Sequence, residues 1–189
     1  MDSKRYNPKV AIHPIKPKDL EFIWKIAYGQ KENTWMNWNG PYFNNPVYEK
    51  EEFINKVGKR WIEDGTAWCI TYNNEIIGTV SCYYGDGELK RWLEVGICIY
   101  DSKYWNKGIS TIALTRWIDH LFEHVTELPH IGFTTWSGNK GMMRVGEKVG
   151  LSLEGRIRKV RYWQDQYWDS IKYGVLREEW NSLTNKKNQ

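Results

Sequence analysis

Residues 92–122, WLEVGICIYDSKYWNKGISTIALTRWIDHLF, constrain the fold more than any other part of the chain. They read as an apolar strand, a short polar loop, and a helix whose first turn carries Gly108, Ser110 and Thr111. Apolar residues recur at Ile109, Ile112, Ala113, Trp117, Leu121 and Phe122, the spacing of one buried helix face. A strand that runs into small residues at a helix start leaves several backbone N–H groups unpaired and aimed at one spot. With the helix dipole added, that is a site for a phosphate-bearing ligand.

The rest of the chain supplies a sheet around this unit. Strands are expected at Lys9–Ile15, Thr66–Tyr72, Glu75–Tyr84, Glu88–Tyr100, 130–136, 152–163 and 167–176. Asn73-Asn74 is a two-residue hairpin signal, and Asp165-Gln166 joins the last two strands. Helices are expected at Asp19–Tyr28 after Pro17, at Val47–Glu63, at 108–124 and at 139–149. The polar loop Gln30–Pro46 links the first two. Residues 1–180 form one mixed α/β domain in this reading, and 181–189 form a frayed polar tail.

At 189 residues one domain suffices. The net charge of +4 comes from scattered Lys and Arg, and aromatic and basic residues do not interleave, so no nucleic-acid partner is implied. No apolar run reaches 18 residues and the first residues lack a signal-peptide core, which points to a cytoplasmic protein without a membrane segment. Cys69, Cys82 and Cys98 are odd in number and lie in apolar runs without CxxC spacing. They read as buried free thiols, with a catalytic thiol as the lesser reading. Monomer and homodimer both remain open.

The loop Trp105-Asn106-Lys107-Gly108-Ile109-Ser110 resembles the pyrophosphate-binding signature of GNAT-type N-acetyltransferases. Trp105 stands where Gln or Arg is usual, and Ser110 replaces the final Gly or Ala. About 30 residues on, Trp136-Ser137-Gly138-Asn139 closes a strand and opens a helix that ends Glu147-Lys148-Val149-Gly150-Leu151. That ending resembles the branch that acetylates ribosomal-protein N-termini (alanine acetyltransferases). The resemblance runs from about residue 9 to 180. It implies an α/β (α+β) GNAT-like domain whose central sheet is mixed, mostly antiparallel and of about seven strands, flanked by about four helices. It further implies acetyl-CoA as co-substrate, no metal, and a primary amine as acceptor, either a protein N-terminus or a small molecule.

Residue by residue, the resemblance assigns cofactor contacts to Ile97, Cys98 and Ile99 of the strand before the loop. It adds Asn106, Lys107, Gly108, Ile109, Ser110 and Thr111 of the loop, and Asn139. Asn139 also reads as a helix N-cap, and Lys148 as a residue that complements the helix dipole. Gly96 interrupts a strong β run, which marks either a bulge or a crowded crossing, with the bulge expected.

Glu94 is the sole ionisable residue between Leu93 and Tyr100, which makes it the candidate general base; a carboxylate on a desolvated face holds a proton more readily. A cross-strand ion pair, with Arg91 or a lysine on the neighbouring strand, is the structural reading of the same residue. The usual proton donors are missing, because their positions fall at Gly146 and Met142. Ser137, Tyr100, Asn139 and a bound water remain, with water favoured because a thiolate needs little help near neutral pH, and Ser137 carried as the candidate side chain.

Twelve Trp and twelve Tyr are a large aromatic complement. Trp35 and Trp38 lie in a polar loop with Tyr42 and Phe43, and two exposed indoles there suggest an acceptor pocket opposite the phosphate loop. Tyr162, Trp163, Tyr167 and Trp168 flank the last hairpin.

Two further classes stay in view. A CoA-binding regulatory protein with little catalysis would account for the missing donor. A zinc-dependent hydrolase using His120 and His124 is the distant class, because His120-Leu121-Phe122-Glu123-His124 fits the H-x-x-E-H zinc pattern, although its polar residues face away from the apolar stripe.

Overall fold

The computed structural model describes residues 9–185. Seven strands form one sheet in the order β1-β2-β3-β4-β5-β7-β6. They are β1 (Val10–Pro14), β2 (Ala67–Tyr72), β3 (Glu75–Tyr84), β4 (Leu93–Ile99), β5 (His130–Trp136), β6 (Ser152–Trp163) and β7 (Gln166–Leu176). Every neighbouring pair is antiparallel except β4 and β5.

The helices are α1 (Leu20–Ala27), α2 (Lys50–Glu52), which passes through a π-helical Phe53–Gly58 into α3 (Lys59–Glu63), α4 (Ile109–His124), α5 (Lys140–Val149) and α6 (Arg177–Asn185). On one face of the sheet, α4 packs Ile112, Trp117 and Ile118 against Val80, Val95 and Ile131. A second core, with Leu20, Ile23, Trp35, Phe53, Cys69 and Tyr100, lies under α1 to α3 on the other face.

Most elements fall where hydrophobic periodicity puts them. The Asn73-Asn74 hairpin has both residues left-handed, at φ 52° and 65°, as a two-residue turn of type I′ requires. Three expectations need correction. Glu88–Trp92 is not strand, because the Asp86 carboxylate accepts the N–H groups of Arg91 and Trp92 at 2.9 and 3.1 Å and wraps residues 87–89 into a 3-10 turn. Gly96 forms no bulge, since β3 and β4 pair without a register shift. A Cβ there would lie 2.7 Å from Ser81 Oγ, so the missing side chain relieves a crowded crossing.

The tail is the third. Residues 177–185 are helical, which adds a helix to the expected set. Trp180 is 2% exposed and donates its indole N–H to Asp119 at 2.8 Å, anchoring α6 against α4. The remainder of the expected tail, 186–189, and residues 1–8 lie outside the described residues.

Candidate active site

The parallel pair β4 and β5 is joined through two residue pairs alone, Leu93 with Ile131 and Glu94 with Gly132. Beyond them the strands are unpaired with each other, although β4 runs on to Ile99 and β5 to Trp136. Hydrogen-bonded pairs alternate along an antiparallel ladder. The bonds Gly85 N–H to Trp92 O and Tyr100 N–H to Ile77 O therefore commit Glu94, Gly96 and Cys98 to β3.

Val95, Ile97 and Ile99 then turn their backbone groups toward β5. By the same alternation, Ser137 bonds Asp169 of β7, and Thr134 and Trp136 turn theirs toward β4. Two rows of amides face each other across the split. Of the three β4 residues expected to touch the cofactor, Ile97 and Ile99 line this split. Cys98 is the correction: its backbone is spent on β3.

Ligands of parallel sheets bind beyond the carboxyl ends of the strands, and both ends here carry the expected residues. After β4 comes a loop in which Asp101 caps Lys103 N–H at 2.9 Å, Asn106 is left-handed at φ 59°, and Gly108 is left-handed at φ 76°. Gly108 is the N-cap of α4. The first helical bond runs from Ile112 N–H to Gly108 O, so the helix gives no acceptor to the N–H groups of Ile109, Ser110 and Thr111.

Ile109, 2% exposed, pins this end to the core. Lys107 Nζ lies 5.9 Å from the Tyr104 ring. Trp105, at the place of the usual Gln or Arg, gives its indole N–H to Ile99 O at 2.8 Å and so ties the loop to the end of β4.

After β5 comes Asn139. Its Oδ1 accepts Met142 N–H at 2.9 Å, the expected N-cap bond, and its Nδ2 donates to Trp38 O at 3.0 Å. The Trp136 indole donates to the same carbonyl at 3.1 Å. Ser137, 8% exposed, accepts Asp169 N–H on Oγ at 3.0 Å and keeps its own proton to give. Tyr100, by contrast, is buried with its hydroxyl shared with Thr79 at 2.9 Å.

The donor positions are closed for a packing reason. A Cβ on Gly146 would meet Phe133 Cζ at 2.7 Å, so residue 146 faces the core. Met142 packs against that core too.

The indole pair divides. Trp35 is a core residue, 7% exposed, with its N–H on Ala27 O at 2.6 Å and its ring against Tyr28 and Tyr100 at 5.6 and 5.3 Å. Trp38 is 44% exposed. It sits beside the Trp105–Gly108 loop rather than opposite it, edge-on to Trp105 at 6.4 Å. A cleft between this loop and the β6–β7 hairpin is lined by Asn37, Asn39, Gly40, Pro41 and Trp163.

Glu94 is 5% exposed and gathers partners from three other strands. Tyr83 of β3 donates to Oε2 at 2.7 Å, and Thr134 of β5 donates to Oε1 at 2.7 Å. Lys172 of β7 lies 3.6 Å from Oε1, donates to Thr134 Oγ1 at 3.1 Å, and stands 4.2 Å from the Trp92 ring centroid. The ion pair anticipated for Glu94 is thus present, with Lys172 two strands away. No local pattern announced Tyr83, Thr134 or Lys172; only the β3-β4-β5-β7 order assembles them.

In the H-x-x-E-H segment the His120 and His124 ring centroids lie 4.0 Å apart, and both rings are engaged within the fold. His120 is stacked on Trp117 at 5.3 Å and lies against Trp68 at 4.2 Å, and His124 Nδ1 bonds the His120 carbonyl at 2.8 Å. Among the described residues, His13, Asp19 and Cys69 bring ligand-type atoms within 4.8 Å of one another, but Asp19 is already bound to Lys16 N–H and His13 to Pro14 O. The cysteines are unpaired; burial pushes the Cys69 and Cys82 thiols up to about 12 and about 11. Among the described residues no helix is long and apolar enough to cross a membrane.

The sheet is thus split after the first rungs of its parallel pair, with an amide-rich helix start at the mouth of the split. The acetyltransferase (GNAT) domain model matches residues 9–152, and the chain belongs to that family. It is 36% identical to the SPbeta prophage-derived uncharacterized N-acetyltransferase YokL of Bacillus subtilis (strain 168), with 90% of this chain and 91% of that one covered. It is 25% identical to a protein of the same organism provisionally named ribosomal N-acetyltransferase YdaF, with coverages of 93% and 96%. The spermidine N-acetyltransferase of Vibrio cholerae, solved with CoA and spermine, shares the fold at a TM-score of 0.73 and 18% identity, with 93% and 99% covered.

Proposed function

We propose that this chain transfers acetyl from acetyl-CoA directly to a primary amine, and that the amine is an α-amine of the ribosomal-protein N-terminal kind. The observation that carries the reading is the split sheet with the Gly108 helix start at its mouth. The Ile97 amide, turned to the split beyond the last rung of the parallel pair, suits a pantetheine arm, which carries amides of its own. The N–H groups at Ile109, Ser110 and Thr111 suit a pyrophosphate. Oriented N–H donors on the β4 edge are also the means to steady negative charge on a thioester oxygen.

Glu94 is the group that receives the amine's proton, and Ser137, with a free O–H, supplies one to the departing thiolate. The acceptor class follows from charge. Lys172 neutralises Glu94, so the cluster offers no net attraction to a polycation such as spermidine. Neutralising a lysine-type amine at pH 7 costs roughly 5 kcal/mol against about 1 kcal/mol for an α-amine, and a single, already paired carboxylate suits the second. A cytoplasmic setting, with three thiols kept reduced, belongs to the same reading.

One observation favours a second reading, a CoA-binding regulator with little catalysis: the two α5 positions at which the resemblance places a proton donor are Gly146 and Met142. A panel of alanine- and serine-initiated peptides, spermidine and lysine, incubated with acetyl-CoA and followed by released thiol, decides between them. Turnover confined to peptides supports the proposal. Preference for spermidine overturns the acceptor class, and tight CoA binding without turnover favours the regulator.

A further inference from the structure

We propose that Tyr83 relays the proton from the acceptor amine to Glu94, a step that rests on the reading of Glu94 as the base. Glu94 lies too deep for an incoming amine to touch. Its Oε1 is occupied by Thr134 and faced by Lys172. Thr134 itself gives its proton to Glu94 and receives one from Lys172, so its hydroxyl is engaged in both senses. Oε2 is different: its partner is the Tyr83 hydroxyl at 2.7 Å.

Tyr83 is 57% exposed, directly opposite Glu94 in the β3–β4 register. Its hydroxyl is thus bonded to the buried carboxylate while the residue itself is open to solvent, the route by which an acceptor could reach it. Burial first, and then the bond to Glu94, hold the phenol well above its ordinary titration range. It stays neutral, which makes it a conduit and not a base.

The step balances. As the amine nitrogen bonds to the thioester carbonyl carbon, its N–H proton passes to Tyr83 Oη while the phenolic proton passes to Glu94 Oε2. Tyr83 ends neutral and Glu94 ends as a carboxylic acid. The C–S bond then breaks, with its electron pair leaving on sulfur, and Glu94 loses its proton to solvent by the reverse path.

The test is Tyr83→Phe, which keeps the ring and removes the relay atom, assayed with acetyl-CoA and an alanine-initiated hexapeptide. Expected are a fall in kcat/KM for the peptide of about 100-fold and an acetyl-CoA Kd within about twofold of wild type. A solvent proton inventory should change from two transferred protons to one. Added to Glu94→Gln, the substitution should cost nothing further, because residues acting as a unit are non-additive.

Wild-type turnover in Tyr83→Phe with Glu94→Gln crippled overturns the relay and leaves the base in place. Wild-type turnover in both overturns the base as well. A wild-type protein that binds acetyl-CoA but acetylates neither the peptide nor spermidine overturns the relay together with the reading beneath it.

Discussion

The carbonyl oxygen of Trp38 accepts the side-chain amide of Asn139 at 3.0 Å across 101 residues of sequence. One bond therefore fastens the loop after α1 to the start of α5, at the mouth of the split. Asn139→Asp preserves the acceptor for Met142 N–H and deletes the donor to Trp38. The melting temperature should stay within a few degrees, since the cap survives. Amide exchange in residues 34–38 should accelerate, and unchanged exchange there would show that the Trp136 bond alone holds the loop.

Trp35 and Trp38 should respond oppositely to truncation. Trp35→Ala removes a core indole and should cost about 3–5 kcal/mol in denaturant unfolding. Trp38→Ala removes a half-exposed ring and should cost under about 1 kcal/mol, while raising the acceptor KM or the acetyl-CoA Kd. Equal losses of stability would contradict the burial difference.

Gly108 holds a left-handed φ with open space around its Cα. A bulky β-branched residue meets no neighbour there, but it strains the backbone and reorients the N–H groups that follow. Gly108→Val should weaken acetyl-CoA at least tenfold, about 1.4 kcal/mol, in a protein that remains folded by circular dichroism. Calorimetry showing unchanged affinity would remove the loop from the binding site.

Glu94 and Lys172 should show strong coupling. Lys172→Met strips the cation from a carboxylate whose side chain is 6% exposed, and breaking such a pair from one side costs several kcal/mol when burial is complete. Lys172 keeps 28% exposure, so a loss of about 1–3 kcal/mol is the expected scale. Lys172→Met with Glu94→Gln should recover most of it. A double variant as unstable as the sum of the singles would deny the interaction.

His120 gives a pH signature. Burial first, then the charge of His124, holds its titration below the ordinary value of 6.5, against a smaller opposing effect of Glu123. The unfolded chain then binds this proton more readily than the folded one. The contribution to stability is present above pH 6.5 and is lost as pH falls from there through the folded value. Melting temperatures of wild type and His120→Gln between pH 8 and 5 should converge at the acid end; parallel curves would mean that His120 titrates normally.

How much of this was legible beforehand varied with how local the cause is. The Gly108 loop and the Asn139 cap were readable because helix starts are written in a few adjacent residues. The Asn73-Asn74 hairpin was readable for the same reason. Trp35 was misread because its neighbours are polar, and its burial comes from Tyr28 and Tyr100 rather than from its own segment. Cys98 was misassigned because strand periodicity gives side-chain faces but not which neighbour each backbone amide serves. Helix α6 hid in a polar sequence because its apolar anchor is chiefly Trp180. The Glu94 cluster has no sequence signature, since its four members come from four strands.

The split between β4 and β5 makes the sheet two panels, β1 to β4 and β5-β7-β6, hinged on two rungs. A cofactor arm seated between Val95 and Thr134 would act as the missing slat that carries the ladder from one panel to the other. Occupancy would then be a matter of construction as much as of catalysis. At ligand concentrations 100 times Kd it would add about 2.7 kcal/mol to the folded state, and the two panels would stiffen into a single wall.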